Sequence, residues 1–169
     1  MRAPRFLALA AAGVLAVSPA ACGSATEAAD APQPSASGGF SVRDPWVKAA
    51  DKGMTAAFGT LVNDGSADVT VVAASSPVSP MELHEMAMQD GAMVMRPKQG
   101  GLVVKAGGSH VLEPGGDHLM LMNLTRPVRA GDEVTFTLTF ADGRTTDVRA
   151  VAKPFTGAGE SYAPSMAPR

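Results

Sequence analysis

Soft donor atoms are concentrated in one stretch of this 169-residue chain: seven of its ten methionines lie between Met81 and Met122, together with all three histidines. Within that stretch, Asp90-Gly91 is the kind of dipeptide that most strongly signals a two-residue hairpin turn. With those residues as the turn, Gln89 pairs with Ala92, Met88 with Met93, Ala87 with Val94 and Met86 with Met95. Side chains alternate along a strand, so His84, Met86, Met88, Met93 and Met95 project from one face. His84 is then diagonal to Met95, a separation that long side chains span. Further along, His118, Met120 and Met122 share a face by the same alternation. Two strands, each offering an imidazole and neighbouring thioethers, could converge on one ion.

A thioether is a soft, neutral donor and imidazole is intermediate, a combination that suits Cu(I). Zinc would normally recruit thiolate or carboxylate ligands, and calcium or magnesium would take oxygen. A blue-copper electron-transfer centre needs a cysteine thiolate. The single cysteine, Cys22, lies outside the segment that reads as folded, so copper carriage fits better than redox chemistry. Thioethers also survive an oxidising compartment, where paired thiols would form a disulfide. They need no deprotonation, which leaves only the histidines to make affinity fall at acid pH. Methionine also fills irregular gaps in cores, and on that ground Met88, Met93 and Met122 are expected to be core residues. Met54, in a glycine-flanked turn, reads as packing. His110 follows Gly107-Gly108-Ser109 with no Met neighbour and reads as a turn or surface residue.

The elements that position these residues are short apolar runs separated by turn residues, in a chain with 18 Gly and 13 Pro. The expected strands before the hairpin are Phe40–Val47, Thr55–Val62 and Asp68–Ala73, and Met81–Met88 and Ala92–Met95 are its two arms. Leu102–Val104, Ser109–Leu112, His118–Leu124, Glu133–Phe140 and Thr145–Val151 follow. Phe40–Val47 is expected at a sheet edge, because Pro45 removes a ladder donor. Glu133–Phe140 alternates Val134, Phe136, Leu138 and Phe140 with polar residues, the pattern of a half-buried strand. No window sustains a helical period, and there is no internal repeat. The fold class is therefore all-β, a sandwich or Greek-key barrel of about eight or nine short strands.

The N-terminal segment reads as an export signal. Arg2 and Arg5 precede an Ala/Leu/Val run over Phe6–Ala20, and small residues lead directly to Cys22. That run is shorter than the roughly 20 residues a membrane-spanning helix needs. Cys22 sits as the lipidated residue of a bacterial lipobox does, with Pro19 where Leu is usual. The expected organisation is a signal peptide over 1–21, a lipidated Cys22 with a flexible tether over 22–39, one compact unit over 40–153, and a disordered tail over 154–169. The full chain has 14 basic and 16 acidic residues. Removing Arg2 and Arg5 with the signal leaves 12 basic residues, so the mature protein is near −4. Without a basic cluster, nucleic acid is not an expected partner.

Three segments carry a more specific likeness: Glu82-Leu83-His84-Glu85-Met86, Asp90-Gly91-Ala92-Met93-Val94-Met95-Arg96-Pro97, and Pro114-Gly115-Gly116-Asp117-His118-Leu119-Met120-Leu121-Met122. Together they resemble the PCuAC family of extracytoplasmic copper chaperones, which have a cupredoxin-like β-sandwich. That family's motif is a His, a Met after ten residues, and a His-x-Met after about twenty-two more. His84, Met95, His118 and Met120 match it, with ten and twenty-two intervening residues. The resemblance implies that these four bind Cu(I), and it adds Met86 as an additional candidate ligand. It covers most of the stretch from Phe40 to Lys153. It also implies delivery of Cu(I) to the CuA centre of cytochrome c oxidase, with that subunit or a Sco-type chaperone as acceptor. Asp117 stands where the family often has an aromatic residue, and the C-terminal tail has Met166 but no His for a Cu(II) site.

The expectation is a secreted, lipid-anchored Cu(I) carrier on the outer face of the cytoplasmic membrane. It would hold the ion in an exposed site at one end of the sandwich and release it by ligand exchange. Glu85 or Asp117, adjacent to the two histidines, would orient a ligating imidazole. Copper buffering is a second reading of the same site, and a metal-free assembly module with a Met-rich core is a third. An enzyme is not expected, because there is no nucleophile motif and no paired-carboxylate arrangement.

Overall fold

The computed structural model describes residues 39–156. Cys22, the export signal, most of the tether and nearly all of the C-terminal tail lie outside the described residues. The described chain forms ten strands: β1 (Phe40–Lys48), β2 (Thr55–Asn63), β3 (Val69–Ser76), β4 (Ser79–Gln89), β5 (Ala92–Pro97), β6 (Leu102–Val104), β7 (Gly108–Leu112), β8 (His118–Leu121), β9 (Glu133–Phe140) and β10 (Thr145–Lys153). The all-β class holds, with ten strands in place of the eight or nine expected.

The strands pair in the order β5-β4-β8-β2-β1-β10-β9-β3-β6, with β7 also on β2. A tight β3–β4 hairpin, pairing Ser75 with Pro80 and Ser76 with Ser79, joins the second strand from each end of that path and closes the sheet into a barrel. Alternation then separates two faces. Val47, Ala57, Leu61, Leu83, Leu119, Leu121 and the four apolar residues of β9 point inward to one large core. Within it Phe40 and Phe140 meet edge to face at 4.9 Å. Burying each such side chain stabilises the fold by roughly 1.5–3 kcal/mol.

β1 is not an edge strand; it lies between β2 and β10, pairing antiparallel with one and parallel with the other. Pro45 is tolerated because the β1–β2 register breaks between Arg43 and Trp46, so the missing N–H falls in a bulge. Asp44 in that bulge has φ of +49°. Gly59 faces it with φ of +146°, and a Cβ there would stand 3.1 Å from the Arg43 carbonyl oxygen and 3.2 Å from Pro45 Cα. The bulge also changes parity. Phe40 and Val42 point into the core before it and Val47 after it, so Trp46 is turned to the outer face. There it stacks on Phe58 at 4.5 Å.

Candidate metal centre

The Asp90-Gly91 turn has φ of +51° and +82°, the two positive values a type I′ hairpin requires. Its register is the one anticipated, from Gln89↔Ala92 through Met88↔Met93 and Ala87↔Val94 to Met86↔Met95, and His84 is diagonal to Met95. On its other side β4 pairs with β8, placing His84 directly opposite His118 and Glu82 opposite Met120. β8 in turn sets Met120 opposite Ala56 of β2. Residues opposite one another share a face, so these side chains gather on the outside of the barrel. Ala56, Phe58 and Met120 form a small second cluster there, covered by Trp46, Met54, Met95 and Met122.

The two imidazole centroids are 5.8 Å apart. His118 Nδ1 lies 3.0 Å from the carbonyl oxygen of Gly116, which can only accept, so in the neutral imidazole Nδ1 carries the proton and Nε2 the lone pair. That Nε2 faces Met95 Sδ at 3.3 Å. Two electron-pair donors thus point at one another, an arrangement a cation between them would relieve. Their separation is close to what two ligands span when bonded to a common ion at about 2.0 and 2.3 Å near a tetrahedral angle. His84 Nε2 donates to Glu82 Oε2 at 2.9 Å, which leaves the lone pair on Nδ1. Among the described residues His84 Nδ1 is a buried side-chain polar atom with no hydrogen-bond partner. Leaving such an atom unpaired typically costs about 1–3 kcal/mol.

The structure brings His84, Met95 and His118 together and packs Met95 on the cluster that contains Met120. Met86 stands opposite Met95 on the hairpin. Among the described residues no group of three or more His, Cys, Asp and Glu side chains is placed to hold a metal ion.

Several expectations are corrected. His84, His118 and Met120 are buried, so the cluster lies beneath the outer surface of the β4–β8–β2 face and is not an exposed site. Met88 and Met93 are not core residues but 66% and 52% exposed, because the hairpin tip extends past the body of the barrel. Met122 does pack on the second cluster. Glu85 does not orient a ligating imidazole: adjacent strand residues point to opposite faces, and it binds Arg96 and Lys98 at 2.9 Å each. Asp117 instead binds Lys98 at 3.3 Å and His110 Nε2 at 2.8 Å, so His110 is a half-buried strand residue with a carboxylate partner. Hydrogen bonding from Lys98, and next from Arg96, holds the Glu85 carboxyl below its usual range. The same bond from Glu85 leads in raising the Lys98 ammonium. Two groups were missed. Glu82 was legible as the residue two before His84 on the same face; the Gly116 carbonyl carries no side-chain signal at all.

A barrel of this topology with imidazoles and thioethers gathered on one outer face defines a cupredoxin-like domain of the PCuAC type. Comparison with solved structures agrees: the apo PCuAC domain from PmoF1 superposes with a TM-score of 0.60, covering 72% of this chain and 99% of that one at 17% identity. The solution structure of CuI-DR1885 from Deinococcus radiodurans gives a TM-score of 0.52 at 29% identity, covering 78% of this chain and 87% of that one. The chain belongs to the LpqE-like family, described as "Putative lipoprotein LpqE-like", which matches residues 40–152. It is 46% identical over 125 residues to the "Putative lipoprotein Lxx21020" of Leifsonia xyli subsp. xyli (strain CTCB07), covering 73% of this chain and 75% of that protein.

Proposed function

We propose that this protein is an exported Cu(I) carrier whose ion is bound by His84, Met95, His118 and Met120, with Met86 as an additional ligand. The observation that carries the reading is the 3.3 Å approach of His118 Nε2 to Met95 Sδ, two lone-pair donors facing each other, with the His84 ring centroid 5.8 Å from that of His118. Likeness to a Cu(I)-bound domain 29% identical to this chain supports copper as the cargo. Two imidazoles and two thioethers are neutral, so the complex has a charge of +1; the Glu82 carboxylate hydrogen-bonded to His84 offsets it. Burial of the imidazoles excludes water and oxygen-donor competitors, while the half-buried Met95 is the ligand an incoming thiolate displaces first.

In this reading 1–21 is a signal peptide, lipidated Cys22 holds the protein on the outer face of the cytoplasmic membrane, and 23–39 is the tether. The folded unit over 40–153 then hands copper to the CuA subunit of cytochrome c oxidase or to a Sco-type chaperone. The protein is a carrier and not an enzyme. Cu(I) titration against a chromophoric chelator under reducing conditions tests the site. Uptake of one tight equivalent that the His118→Ala/Met120→Ala double variant loses is the expected result. A wild-type protein that takes up none refutes the reading.

A further inference from the structure

Beyond the buried cluster, the same face of the β4–β5 hairpin carries another pair of thioethers. Among the described residues the exposed large apolar side chains are Met88, Met93 and three valines. Met88 and Met93 are direct cross-strand partners, one rung beyond the Met86–Met95 pair. Directly opposite side chains have Cβ atoms about 4.5–5.5 Å apart. Successive rungs on one face follow at about 7 Å, within reach of a flexible thioether. Burial is graded along this ladder: Met88 and Met93 are exposed, Met86 and Met95 half-buried, and His84 and His118 buried. The type I′ turn holds the two arms in register up to the tip, so the outer pair projects from a defined scaffold.

We propose that the Met88–Met93 pair is a second, labile Cu(I) station through which the ion passes between solvent-facing partners and the buried cluster. The inference rests on the reading of the cluster as a Cu(I) site. Two thioethers alone hold Cu(I) weakly, which suits a station that must release it. At each move one Cu–S bond forms as another breaks. Copper remains Cu(I), and no electron or proton is transferred. Met86 and Met95 form the middle rung, so the ion passes between soft donors along the whole ladder.

The test uses the full chain and Cu(I) supplied as a chelator complex under reducing conditions, with methyl-labelled methionines followed by NMR. The wild type is expected to take up one tight equivalent. Further Cu(I) is then expected to shift the Met88 and Met93 methyl signals. The Met88→Leu/Met93→Leu variant, which keeps apolar volume at the tip, is expected to retain the tight equivalent at an unchanged competition midpoint. It should lose the weaker binding and load several-fold more slowly. Wild-type loading rates in the variant, with no shift of those methyls in the wild type, overturn the inference and leave the buried site standing. Slower loading accompanied only by lost self-association makes the pair an apolar contact between copies and also overturns it. Absence of a tight equivalent in the wild type defeats both readings together.

Discussion

Glu82 and His84 stand two residues apart on β4, and the imidazole Nε2 donates to the carboxylate across 2.9 Å. Because strand side chains alternate, that spacing puts both on the outer face, where Glu82 also faces Met120 on β8. The bond selects the tautomer, leaving the lone pair on the buried Nδ1.

Replacing Glu82 with Gln keeps an acceptor for Nε2–H but removes the negative charge beside the cluster. Cu(I) affinity in chelator competition is expected to fall by about ten-fold to a hundred-fold, the usual effect of altering the hydrogen-bond partner of a ligating imidazole. Unchanged affinity would show that the negative charge of Glu82 has no role in the site.

Met95→Leu separates packing from ligation. Leu has nearly the volume of Met, so stability should change by less than about 1.5 kcal/mol. Cu(I) affinity should drop sharply, because the sulfur facing His118 Nε2 is gone. Parallel urea denaturation and Cu(I) competition check this. Equal affinities would remove Met95 from the ligand set.

Gly59→Ala tests the bulge that turns Trp46 outward. The new Cβ would press on the Arg43 carbonyl oxygen and Pro45 Cα at a positive φ. A loss on the order of 1–3 kcal/mol is expected. Trp46 is the chain's only tryptophan, so its fluorescence should also report loosening of the contact with Phe58. A variant as stable as the wild type would mean that the bulge has room to shift.

Stability should fall toward both pH extremes. Glu85, Asp68 and Asp142 have carboxyl groups held below their usual range, chiefly by hydrogen bonds from Lys98, Lys105 and the Arg144 backbone N–H respectively. A lowered folded-state value means the stabilisation is complete above the usual carboxylate range and disappears as pH falls through the folded values. Lys98 is raised, so its contribution is complete below the usual ammonium value and disappears as pH climbs past it. Urea midpoints measured across pH should show both limbs, and Lys98→Gln should flatten each. An identical profile for that variant would remove the Glu85–Lys98–Asp117 network from the account.

If Cys22 carries a lipid, Cys22→Ser should move the protein from the membrane fraction to the soluble exported fraction with its Cu(I) binding intact. Unchanged membrane association would rule out a lipid on Cys22 as the anchor.

Local chemistry made much of this protein legible from its sequence. Asp90-Gly91 defines a turn whose two positive φ values few other dipeptides adopt, and a two-residue turn leaves only one hairpin register. That was enough to place His84, Met86, Met88, Met93 and Met95 on one face. The alternation of β9 likewise announced a half-buried strand. Glu82 is legible by the same period of two, whereas Glu85, nearer to His84 in sequence, points the other way.

What only the tertiary structure decided depends on contacts between distant segments. Nothing local pairs β4 with β8, yet that pairing sets His84 opposite His118 and closes the cluster. Burial was equally out of reach: the hairpin base is covered while its tip extends past the barrel, so identical thioethers are half-buried at Met95 and open at Met93. Pro45 signalled an edge because it lacks a donor, but a bulge opposite Gly59 absorbs that loss inside the sheet and turns Trp46 toward the site. Alternation assigns relative faces within a strand; which face is covered, and by what, is set by the strands that come to lie beside it.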